Sequence, residues 1–230
     1  MREPLTAGTR RVARPAPLRQ AVYDALAELI ANGTLRPGQH LVESDLAEYL
    51  GVSRQPIREA LQRLQGDGWV ELRPAHGAFV HTPTGEEVVQ LLGVRSVLEA
   101  YSAYGAAQRA SSQDITRLRE LQEAGEAALA ADDQHGMVDA NAAFHQYIVQ
   151  VSGNKVLADL ISQVERRVRW YYTPIARPRG KEAWIEHAGL ITAIAEGDAE
   201  RAQQLMRHHT ERTTEFYRKE TVAAAQAPVG

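Results

Sequence analysis

Two sets of side chains in this chain are spaced for chemistry. The first lies in "GVSRQPIREALQRL", where Ser53, Arg54, Gln55 and Arg58 crowd the first two turns of a predicted helix. Arg54 and Arg58 are four residues apart and so share one helical face. Cations near a helix N-terminus are mildly unfavourable unless an anion faces them. A planar guanidinium fits a phosphate or the O6/N7 edge of guanine, and a serine N-cap brings backbone N–H groups to a phosphate as well. The alternative is a solvated face on which Arg58 pairs with Glu59 or Asp67. The second set is Asn141, His145, His187 and His209. Asn141 and His145 are four apart on one face; His187 shares a face with Leu190, Ile191 and Ile194. His209, rather than His208, falls on the apolar stripe of the last helix. Three inward imidazoles and an amide oxygen could hold a divalent cation with coordination positions left open. The alternative is three unrelated core histidines, each hydrogen-bonded on its own.

Positioning these groups requires particular elements. Apolar residues at helical spacing predict a helix over 17–32, stopped by "NGTLRPGQ", and a second over 43–50. The second ends at Gly51, which suits a left-handed C-cap. Ser53 is then the N-cap of a third helix. Pro56 sits in its first turn, where a missing N–H is harmless, and Ile57, Leu61 and Leu64 face inward. After "GDG" the period changes, and two strands over 69–73 and 78–81 form a hairpin with His76 and Gly77 at its tip. Helix, turn, helix and hairpin make a winged helix-turn-helix. Its third helix is shaped to enter a DNA major groove, with the His76-Gly77 wing against the adjacent minor groove. Beyond Thr84 helices are predicted over 88–109, 112–131, 134–151, 155–175, 181–195 and 199–219. The fold class is therefore mainly α, with a small β-hairpin and a C-terminal antiparallel bundle of six to seven helices. The organisation expected is a flexible basic arm (1–15), the winged helix-turn-helix (16–82), a helical binding and dimerisation domain (83–220) and a disordered tail (221–230).

The net charge of −3 over 230 residues hides an asymmetry. Residues 1–80 hold ten arginines against nine carboxylates, and residues 81–230 sixteen cations against twenty. The first twenty residues carry five arginines and one glutamate, a composition suited to phosphate contacts. Cysteine is absent, which excludes disulfides and thiolate sites. No apolar run approaches the roughly 20 residues of a membrane span, and no signal peptide is evident. A cytoplasmic protein without membrane contact is expected.

The stretch "LRPGQHLVESDLAEYLGVSRQPIREALQRLQGDGWVELRPAHGAFV" resembles the DNA-binding domain of GntR-family bacterial transcription regulators. The motifs that carry the likeness are the Pro-Gly turn before Leu41, Leu46-Ala47, Gly51 to Arg54, Pro56 to Leu61, and Gly77. The resemblance implies operator contacts from Arg54, Gln55, Arg58 and the His76-Gly77 wing. Ser44 stands where some members have a further arginine. Residues from about 88 to 217 are similar to the helical FCD domain of the FadR-type branch. That similarity implies a divalent metal (zinc first, nickel or manganese as alternatives) on Asn141, His145, His187 and His209, and a small organic acid effector. Many members have aspartate where this chain has Asn141. Arg95, in "VRSVLEAY", matches an arginine aimed at the effector carboxylate; its alternative is an ion pair with Glu99. The functional expectation is a homodimeric repressor on a palindromic double-stranded operator. The rival is a metal-dependent hydrolase, since three histidines and an open position can also activate water. A hydrolase needs a general base over the metal, and Glu186, adjacent to His187, points about 100° away around an ideal helix.

Overall fold

The computed structural model describes residues 16–226, and the chain divides at His81–Thr82 into two compact units. The basic arm over 1–15 and the last four residues of the tail lie outside the described residues. No helix among the described residues is long and apolar enough to cross a membrane.

The first unit contains α1 (Ala16–Ala31), α2 (Glu43–Leu50), α3 (Arg54–Gly66) and three strands: β1 (His40–Leu41), β2 (Val70–Arg73) and β3 (Gly77–Val80). Leu26, Ile30, Ile57, Leu64 and Val80 form its interior. Gly51 ends α2 with φ +64, and its N–H reaches the carbonyls of Ala47 and Glu48. This left-handed turn lets α3 start three residues later, at Arg54. The sheet order is β1-β3-β2, all antiparallel, with Leu41 opposite Ala78 and Leu72 opposite Ala78 on the other side. The sequence predicts only the hairpin; β1 is two residues long, too short to show any alternation. Tyr23 on α1 donates to Asp67 beyond α3 (2.6 Å), and the Arg63 guanidinium stacks over the Tyr23 ring.

The second unit is a bundle of α4 (Gly85–Ala107), α5 (Ser112–Ala130), α6 (Gln134–Val151), α7 (Lys155–Tyr172), α8 (Ala176–Ala195) and α9 (Ala199–Gln226). A single 3₁₀ turn (Thr173–Ile175) joins α7 to α8. Capping boxes start α4 and α5: Thr84 with Glu87, and Ser111 with Asp114. Asp133 and Asn154 cap α6 and α7. α4 packs most extensively on α9, and α5 on α6 and α8. Phe144, Ile148, Leu118, Leu190, Ile194 and Met206 lie at the centre of the core.

Two boundaries differ from expectation by more than three residues. α8 begins at Ala176, five residues early, because Pro178 falls in its first turn, where no N–H is needed. α9 runs to Gln226, so the first six residues of the predicted disordered tail are helical; "TVAAAQ" is rich in alanine, the strongest helix former.

Candidate functional site

In the first unit Ser53, Arg54, Gln55, Arg58, His76 and Gly77 are all exposed. Ser53 holds the N-cap position of α3 without a side-chain cap bond, which leaves its hydroxyl free of the helix it begins. The hairpin tip closes through His76 N–H donating to Arg73 O (3.0 Å). Gly77 has φ +93, a backbone conformation that favours glycine, and a Cβ there would also displace the exposed His40 ring, whose Nε2 would lie 2.9 Å away. Between α3 and the hairpin lies a concavity lined by Arg54, Arg58, Gln62, Arg73 and Ser44. Arg58 does not pair with Glu59 or Asp67. It donates through Nε and Nη2 to Glu43 (3.0 and 2.8 Å), while Gln55 takes Glu59 (2.8 Å). Arg54 Nη2 joins the same Glu43 carboxylate at 3.2 Å. The bidentate bond from Arg58 is the main cause that holds Glu43 below the usual carboxylate range.

In the second unit α6 supplies Asn141 and His145, α8 His187 and α9 His209, all buried. His209 Nε2 lies 3.2 Å from His145 Nε2 and 3.3 Å from His187 Nε2. Nitrogens bound tetrahedrally to zinc at about 2.0–2.1 Å stand roughly 3.3 Å apart, so these two edges match a coordination shell. Asn141 Oδ1 is buried without a hydrogen-bond partner and lines the same cavity as His145. An orphaned buried acceptor costs about 1–3 kcal/mol, a cost that a cation would remove. His187 is fixed by stacking on Phe144 (centroids 4.1 Å apart) and by the edge of Trp184 (4.8 Å).

Carboxylates stand behind two of the three imidazoles. His209 Nδ1 and Glu186 Oε2 are 2.8 Å apart, and Glu186 also receives buried Arg179 and Arg212. His145 Nδ1 and Glu99 Oε2 are 2.9 Å apart, off hydrogen-bond alignment, and Glu99 receives Arg95 Nε at 2.8 Å. Two Arg–Glu–His chains therefore converge on the Nε2 cluster. A carboxylate at Nδ1 keeps that nitrogen protonated and turns the Nε2 lone pair inward. Burial lowers all three histidine pKa values, with His209 at about 4 and His187 well below the ordinary value. Burial would raise Glu99, yet the Arg95 charge and then His145 hold it at about 2.

Asn141, His145, His187 and Arg95 thus come together in one region, with Arg95 in an ion pair to Glu99 and on the wall of the cavity. That cavity is about 30 Å³, with Glu165 and Tyr172 also on its wall. Glu99, Glu186 and Glu43 were missed as site residues. Glu99 was visible as the i+4 partner of Arg95, whereas Glu186 and Glu43 reach partners 23 and 11 to 15 residues away. Glu186 sits on the Nδ1 side of His209, not over the open Nε2 side where a hydrolase needs its base.

Residues 18–80 match the family described as bacterial regulatory proteins, gntR family, and residues 90–212 match the FCD domain. The chain is 27% identical over 201 residues to the HTH-type transcriptional regulator YdhC of Bacillus subtilis, covering 85% of this chain and 89% of YdhC. It is 30% identical over 207 residues to the HTH-type transcriptional regulator LutR of the same organism, covering 79% of this chain and 92% of LutR. The solved structure of E. coli McbR/YncC superposes with a TM-score of 0.77 at 24% identity, over 90% of this chain and all of that one, a likeness of fold. With both domains matched in order, the chain belongs to the gntR family of bacterial regulatory proteins, in the branch with an FCD domain, and is a transcription regulator rather than an enzyme.

Proposed function

We propose that this regulator is a homodimeric repressor whose grip on a palindromic operator is set by a small organic acid bound at a metal in the helical unit. Ser53, Arg54, Gln55 and Arg58 on the recognition helix, with His76 and Gly77 on the wing, are the operator contacts in this reading. Asn141, His145, His187 and His209 would hold a divalent ion. Imidazole donors favour zinc, with nickel and manganese as alternatives. The ion supplies open coordination positions to an effector carboxylate. Arg95 spends Nε on Glu99, and its other N–H groups serve the effector.

The observation that carries this reading is the Nε2 cluster, with the unpaired Asn141 Oδ1 on the cavity wall beside it. The imidazoles are already neutral, as ligands must be, so binding requires no proton release near neutral pH. The effector acts through its differential affinity for two arrangements of the protein, typically about 1–3 kcal/mol of coupling. Two features support a dimer. One recognition helix reads only a few base pairs, so specificity gains from two half-sites. Val94, Val97 and Tyr101 on α4, and Val156 and Leu160 on α7, also leave an exposed apolar face on two helices that pack together.

The test is metal analysis of protein purified without chelator or nickel resin, beside His187→Ala. With small carboxylic acids kept in the buffers, the expected result is one ion per chain in the parent and none in the variant. The variant should lose its response to carboxylic acids and keep its operator affinity. A parent without stoichiometric metal, together with an acid response that survives His187→Ala, would reduce the three histidines to core residues.

A further inference from the structure

Glu43 is the one carboxylate among the residues that line the concavity between the recognition helix and the wing. A negative charge on a surface meant for phosphates opposes binding, so its presence there calls for a reason. The geometry supplies one. Arg58 presents its side edge, Nε and Nη2, to both oxygens of Glu43, at 3.0 and 2.8 Å. That bidentate grip fixes the plane of the guanidinium and leaves its terminal Nη1/Nη2 edge as the fork available to a base. The same carboxylate takes Arg54 Nη2 at 3.2 Å, so one acid sets the spacing of both cations. Glu43 is itself anchored in the first turn of α2, where the helix dipole favours an acid. Its side chain is only a quarter exposed, against roughly half or more for the two arginines.

We propose that Glu43 is a specificity-determining residue: it positions Arg58 and Arg54 for base reading and weakens their attachment to phosphates of any sequence. The two effects follow from the same bonds. A free arginine on a four-bond tether finds phosphates readily and carries no sequence information. Held in one plane by Glu43, Arg58 loses little further freedom on meeting guanine O6 and N7, while a duplex without guanine there leaves that terminal fork unpaired. Glu43 can itself accept from a cytosine amino group, which adds to the discrimination. Asp45 and Glu48, on the same helix, make no such bond to Arg54 or Arg58 among the described residues.

The inference rests on Arg54 and Arg58 being operator contacts, and its test separates the two claims. Binding of the full chain to its own upstream operator and to a scrambled duplex is measured over a series of salt concentrations, for the parent, Glu43→Gln, Glu43→Asp and Arg58→Ala. Glu43→Gln keeps the shape and removes the charge. It should bind the scrambled duplex about tenfold more tightly, with a log K against log salt slope steeper by about one unit per subunit. Operator affinity should gain less or fall, so the operator-to-scrambled ratio drops about tenfold, and Glu43→Asp should recover part of it. Ratios within twofold of the parent in both Glu43 variants, with Arg58→Ala defective on the operator, would overturn the role of Glu43 alone. If Arg58→Ala binds the operator as the parent does, the assignment of the recognition arginines fails as well.

Discussion

At the scale of single residues, burial dominates the histidine cluster: it outweighs Glu99 beside His145 and Glu186 beside His209 and keeps the imidazoles neutral. In the unfolded chain the same rings titrate near 6.5. For His209, between about 4 and 6.5, the unfolded state therefore binds more protons than the folded one, and stability rises with pH across that window; His145 and His187 act in the same direction. Glu99 and Glu186, whose pKa values are lowered despite burial, add stability in the same direction, present above the ordinary carboxylate range and lost as pH falls through it. Metal-free protein should lose urea resistance steadily as pH falls from 7 to 4.5, by up to about 1.4 kcal/mol per pH unit from His209, with His145 and His187 adding in the same direction. A midpoint flat across that range would show that the rings are protonated in the fold. The imidazoles themselves were legible in the sequence, because helical periodicity says which side chains turn inward. Their acid partners were not. Glu186 sits beside His187 in the chain, so helical spacing turns it away from that ring, yet α9 brings His209 to meet it across the bundle.

Helices, taken one at a time, were legible to within a few residues, since side chains cap the starts of α4, α5, α6 and α7 and most helices end near a glycine or an acidic pair. What escaped were features that depend on a neighbour. β1 exists only because β3 offers it a partner, and α8 starts before Pro178 rather than after it. Gly125 is a third case. It sits in the middle of α5, where alanine is better by about 1 kcal/mol in an exposed helix. Here a Cβ would fall inside the Trp184 ring, which packs edge-on against His187. Overpacking of a core costs about 1–3 kcal/mol, so the steric term should outweigh the propensity gain. Gly125→Ala should be destabilised by about 1–2 kcal/mol in urea unfolding, despite its better helix former. A more stable variant would mean that α5 and α8 slide apart freely at this point.

The molecule as a whole conceals its chemistry in its averages. A net charge of −3 gives no hint of DNA; the arginines of the first twenty residues and those around α3 point there. The exposed valines of α4 were likewise indistinguishable in the sequence from core residues, because periodicity marks an apolar face and cannot say what covers it. If a second copy covers it, the parent should run as a dimer in sedimentation at micromolar concentration. Val97→Glu should run as a folded monomer that binds a two-half-site operator at least tenfold more weakly. A monomeric parent with undiminished affinity for the intact palindrome would contradict the dimer.

Asn141 in place of a carboxylate has a consequence for how the two small ligands depend on each other. With three neutral imidazoles and a neutral amide as donors, an ion held there keeps its full double charge. Glu99 and Glu186 cannot offset it, since each is already matched by a buried arginine. Beyond what Glu165 on the cavity wall offsets, the excess positive charge in a desolvated core is relieved when an anion arrives with the ion. Metal and acid should therefore enter as a pair, each tightening the other, so that the site works as a coincidence detector. An aspartate there would instead retain its ion whether or not the acid is present.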